Sequence, residues 1–107
     1  MNLDILTMTK NDILLVKDQI VKLNLVFNLL HDIYLKSKTI KICEDMIGIS
    51  KKLIELINLT IKLVDCGKVH LNKSGNSYID MVENKSNLGD WVNQLNDDIL
   101  ILKNSFN

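Results

Sequence analysis

Residues 10–36 read KNDILLVKDQIVKLNLVFNLLHDIYLK, and the spacing of the apolar side chains in this stretch decides the fold class. Ile13, Val16, Ile20, Leu23, Phe27, Leu30 and Tyr34 recur at alternating intervals of three and four, the a/d period that keeps one stripe of a helix against a neighbour. Leu14, Val21, Leu25, Val26, Leu29 and Ile33 widen that stripe. A helix this apolar must be covered on more than one side. Thr9 stands where an N-cap is needed, and Asp12 where a carboxylate favours a first turn.

Working outward, the same spacing reappears downstream in Ile42, Met46, Ile49, Leu53, Leu56, Thr60 and Leu63, with Ile40, Ile47, Ile54 and Ile61 as a flanking row. This predicts a second helix over about 40–65, closed by Gly67 at a C-cap position. Phase separates the two helices. Extending the first seam past Tyr34 lands on Ser37, Lys41, Glu44 and Gly48, all polar or small. The stripe therefore changes face near Ser37–Thr39, which reads as a short turn in a helical hairpin; a stutter in one continuous coiled coil is the alternative.

The stretch at about 67–87 breaks the pattern and reads as an irregular linker, with Tyr78, Ile79, Met81 and Val82 as a small apolar group inside it. A third helix is predicted over about 88–104, with Ser86 or Asn87 as its cap. Its seam is Leu88, Trp91 or Val92, Leu95, Ile99, Leu102 and Phe106, and Asp90, Asn93, Gln94, Asn96 and Asp97 lie on the other face. The expectation is one all-α domain spanning 1–107: a long antiparallel hairpin (10–36 and 40–65) plus a shorter C-terminal helix. Together they make a three- to four-helix bundle, completed by oligomerisation if the chain alone leaves apolar surface over.

Composition supports a helical globule and narrows the function classes. The chain has 107 residues, no proline and four glycines, with 47% hydrophobic residues, too apolar for disorder and poor in turn formers. All basic residues are lysine, and lysine and acid balance at zero net charge. No basic surplus exists to neutralise a phosphate backbone, and no arginine forks to read guanine or clamp phosphate, which argues against a nucleic-acid partner. The longest charge-free runs, such as Leu23–His31, fall short of the ~20 apolar residues of a membrane span. Met1–Met8 carries an early Asp4 and no basic n-region, so no signal peptide is read there. A cytoplasmic protein with Cys43 and Cys66 reduced and buried is the expectation. The Ile/Asn/Lys bias points to an AT-rich genome such as a low-GC bacterium, its phages or another mobile element.

No constellation for chemistry emerges. His31 and Asp32 are adjacent on a helix and face apart. Cys66 and His70 form a lone C-x3-H pair, short of the roughly four ligands of a zinc site. Asp97-Asp98 and Glu44-Asp45 read as solvated helix faces, and no nucleotide-binding, hydrolase or zinc-protease motif is present. No metal, cofactor or catalytic residue is expected. Lys41, Lys51, Lys52 and Lys62 make only a thin basic strip. The second helix is too long and apolar to act as a base-reading recognition helix.

The leading expectation is a non-catalytic protein–protein interaction module acting by helix packing, an inhibitor, antitoxin-like or immunity-like protein of a phage or mobile element. A self-assembling structural or secretion-helper protein is the alternative, and nucleic-acid binding the second. The third helix spans ~25 Å against ~40 Å for the hairpin, at 1.5 Å per residue. If it runs antiparallel to the second helix and starts near Gly67, it stops short of the hairpin turn. Ile33, Tyr34, Leu35, Ile40, Ile42 and Ile47 then stay open to a protein partner or a second copy. If the linker carries it to the turn end instead, the open patch lies near Ile13, Val16, Leu59 and Leu63. Trp91 reads first as a core anchor and second as an interface anchor, and Tyr78 as a weaker interface candidate.

Overall fold

The structure is a computed structural model in which residues 5–67 and 88–105 are described. It is an all-α three-helix bundle. A 3-10 turn, Ile5–Thr7, precedes α1 (Lys10–Lys36), α2 (Ile40–Asp65) and α3 (Leu88–Asn104). These bounds coincide with those read from apolar periodicity.

The helix ends follow from local chemistry. Thr9 and Asp12 form a reciprocal capping box: the Asp12 N–H donates to Thr9 Oγ1 at 3.2 Å and the Thr9 N–H to Asp12 Oδ2 at 2.8 Å. Two of the four unpaired amides of the first turn are thus satisfied. α1 stops at Ser37, whose N–H still reaches Ile33 O at 2.8 Å. Thr39 then caps α2 by accepting from the Ile42 N–H at 3.2 Å. The chain reverses within Ser37–Thr39, so the hairpin reading holds and the continuous rod does not. At the far end Gly67 takes φ +81°, a left-handed conformation that glycine adopts without steric penalty.

α2 is the shared element. α1 and α3 both pack along it, while direct contact between α1 and α3 is sparse. α3 runs antiparallel to α2. Its end lies against the start of α2, where the Cys43 thiol donates to Leu102 O at 3.9 Å, and Asn96 and Ile99 share a cleft with Lys51 and Ile54. The main core gathers Ile13, Val16 and Ile20 of α1, Leu53, Leu56, Ile57 and Leu63 of α2, and Leu88, Trp91 and Leu95 of α3. A second cluster of Cys43, Met46 and Leu102 fills the end nearest the hairpin turn.

Several expectations are corrected here. Cys43 is buried as expected, but Cys66 is exposed beyond the last turn of α2, where no helix among the described residues covers it. α3 does not stop short of the hairpin turn: the Tyr34 hydroxyl reaches Ser105 Oγ at 3.2 Å. The stretch from Gly67 to Leu88 leaves α3 free to sit towards the turn end. The alternative patch is not open either, because Ile13, Val16 and Leu63 are buried and Leu59 is partly buried. Met8 belongs to the main core and Ile5 packs against it. Tyr78, the apolar group around it and the Ser86/Asn87 cap lie outside the described residues.

The buried face of α2 is wider than one seam. Cys43, Ser50 and Ile57 are as buried as Met46 and Leu53, because α2 serves two neighbours. The cost of that breadth shows at Ser50, which is fully buried with its hydroxyl unpartnered among the described residues. Thr60, equally buried, donates to Leu56 O at 2.9 Å. A buried hydroxyl without a partner loses about 1–3 kcal/mol of hydration it never regains, and alanine is also the better helix former. Ser50→Ala is expected to stabilise the protein by about 1–2 kcal/mol, read as a raised urea midpoint at unchanged slope. A lowered midpoint would show that the hydroxyl has a partner.

Candidate partner surface

The surface of α1 turned away from α2 is where the molecule departs from an ordinary amphipathic design. Leu15, Leu25, Leu29 and Ile33 all stand exposed on it, Leu29 at 64% and Leu25 at 58%, while Val26, also exposed, lines the cleft towards α2. Single exposed leucines are ordinary on protein surfaces; a contiguous group is not. The group arises because α1 carries apolar residues on nearly every face, while one neighbouring helix can cover only one of them. Leu35 and Ile40 are exposed at the hairpin turn, and Leu100 and Ile101 are exposed on α3, Leu100 beside the cleft shared with α2.

The residues read from sequence as partner contacts divide accordingly. Ile33, Leu35 and Ile40 are exposed. Tyr34, Ile42 and Ile47 are partly buried against the cluster of Cys43, Met46 and Leu102. Lys38 Nζ sits 5.7 Å from the Tyr34 ring centroid, within cation–π range. Trp91 is buried in the main core at 8% exposure, the position its core reading required. Periodicity assigns Leu25 and Leu29 to the flank of the core stripe and gives Leu15 no role, whereas the structure sets all three on the exposed side of α1.

Between α1 and α3 lies a groove of about 280 Å³. Buried Met46 and Leu102, half-buried Phe27 and Tyr34, and Asn28, His31, Asp98 and Ile101 line it. The fold thus brings His31 and Asp98 to one groove although they are remote in sequence, yet no hydrogen bond or ion pair joins them. Asp98 accepts from Gln94 Nε2 at 3.1 Å instead. Acid–base work needs a group within about 2.6–3.2 Å of the proton it moves, and His31 and Asp98 form no such contact with each other.

The lysine strip on α2 is partly neutralised by its own helix. Lys41 reaches Asp45 at 3.0 Å and Lys52 reaches Glu55 at 3.5 Å. The hydrogen bond that Lys41 donates to Asp45, reinforced by the carboxylate's charge, holds the Lys41 ammonium above the ordinary lysine pKa. Among the described residues no group of three or more His, Cys, Asp or Glu side chains is placed to hold a metal ion. Nor is any helix there long and apolar enough to cross a membrane. Comparison with protein-family models, curated proteins and solved structures gives no match to this chain.

Proposed function

We propose that this small all-helical domain is a non-catalytic protein–protein interaction module whose binding element is the solvent face of α1. The observation that carries the reading is the set of exposed leucines and isoleucine, Leu15, Leu25, Leu29 and Ile33, on one face of a well-capped helix. Folding gains nothing from that face, and leaving it apolar invites aggregation unless something covers it. Helix-to-helix docking through positions three and four apart is the mode such a face suits. Zero net charge and the absence of arginine weigh against nucleic acid as what covers it. The lysine-only, isoleucine- and asparagine-rich composition favours an inhibitor, antitoxin-like or immunity-like role in the cytoplasm of a low-GC bacterium, on a phage or mobile element.

The test is position-specific photocrosslinking in living cells. A photoreactive amino acid replaces Leu29 in one variant and Asn58, exposed on α2, in another. A discrete crosslinked protein product from position 29 and not from position 58 is expected. No product from position 29, or the same smear from both, would sink the reading.

A further inference from the structure

α1 carries two heptad seams. The first, Ile13 to Tyr34, faces the core. Shifted by two residues it becomes Leu15, Asp18, Lys22, Leu25, Leu29, Asp32 and Lys36, again at alternating intervals of three and four. A shift of two residues is ~200° around a helix of 3.6 residues per turn, so the second seam lies opposite the first. Every one of its residues is exposed. None of the four charged ones is engaged in an ion pair among the described residues.

The order of charges along this seam selects a partner. We propose that the solvent face of α1 pairs antiparallel with the same face of a second copy of this chain, about a two-fold axis level with Phe27. This rests on the reading of α1 as the binding element and says what binds it. In that register Asp18 faces Lys36 of the second copy, Lys22 faces Asp32, and Leu25 faces Leu29. In an antiparallel coiled coil each core layer joins an a position to a d position, and all three pairs obey that rule. A parallel, in-register pair would set Asp18 on Asp18 and Lys22 on Lys22. Sliding the antiparallel pair by one heptad either way sets charges against leucines. The register centred on Phe27 gives all six layers from Asp18 to Lys36 an apolar or opposite-charge neighbour. A slide of two heptads also pairs Leu15 with Leu25 and Asp18 with Lys22, but it sets Leu29 against Asn11 and leaves Asp32 and Lys36 without partners, so it matches fewer layers. The contact is self-complementary, so it closes as a dimer and does not propagate into a filament.

The test is a charge swap in the full chain, with dimerisation read by sedimentation equilibrium and folding checked by circular dichroism. Lys22→Asp and Asp32→Lys each place like charges in two symmetry-related layers. Each is expected to weaken the dimer at least ~10-fold, because like-charge juxtaposition is heavily penalised at an interface. The double variant restores opposite charges and is expected to return to within ~3-fold of the original. Single reversals without effect, or a double variant no better than the singles, would overturn the pairing. So would an unmodified protein that stays monomeric up to ~1 mM, the affinity floor of a specific contact. The two readings fail separately. A crosslink from position 29 to a different protein, with a monomer in solution, leaves the interaction module standing and removes only the second copy. No crosslink and no dimer removes both.

Discussion

Trp91→Ala is expected to lower the unfolding free energy by about 3–5 kcal/mol, the range found for deleting a buried aromatic side chain. Trp91 is 8% exposed and shares one cluster with Ile20, Leu53 and Ile57, so its removal opens a void where all three helices meet. Leu88, Trp91, Leu95, Ile99 and Leu102 form the buried stripe by which α3 packs on the bundle. A domain of this size has about 5–15 kcal/mol in all, so the variant sits near the edge of folding. Urea unfolding followed by far-ultraviolet circular dichroism gives the number directly. A loss under about 1 kcal/mol, the usual effect of an unremarkable substitution, would mean that the indole is not part of the core.

Leu53→Ala gives the second large effect and, set beside Leu29→Ala, separates the two faces of the molecule. Leu53 has no exposed surface, and truncating such a leucine removes about 2–5 kcal/mol through lost transfer energy and the cavity left behind. Leu29 is 64% exposed, and its truncation is expected to shift the stability of the isolated monomer by no more than about 0.5 kcal/mol. Equal losses at the two positions in dilute solution would show that Leu29 is covered within the single chain. Unfolding should be measured well below any dimerisation range, since association through α1 would otherwise add concentration-dependent stability at Leu29.

The helices themselves were legible because their period, caps and breaks are local. Thr9, Asp12, Ser37, Thr39 and Gly67 mark ends that depend on a few neighbouring residues, and the structure uses them as the sequence suggested. What periodicity does not carry is how many neighbours a helix has. The seam on α2 was read as if one helix faced it, so Ser50 and Ile57 were left out of the core. Packing between two helices widens the buried arc and brings them in. The axial position of α3 was also beyond a length argument, because a long connection fixes neither where the helix starts nor which end it covers. Met8 escaped notice because a residue outside any periodic run gives no signal until a tertiary contact claims it. The candidate surface was half legible: Ile33, Leu35 and Ile40 were named, while the charged and leucine positions of the outer seam gained meaning once exposure showed which side of α1 was turned to solvent.

The sharing of α2 between two helices whose backbones rarely come close to each other has an evolutionary consequence. A substitution on the buried arc of α2 is judged twice, against α1 and against α3, so few replacements satisfy both. A substitution on the outer face of α1 is judged by neither. That face can change partner, register or affinity in steps that leave folding untouched, while the central helix holds nearly still. Divergence in a lineage built this way should concentrate on α1 and spare α2, whatever the outer face binds.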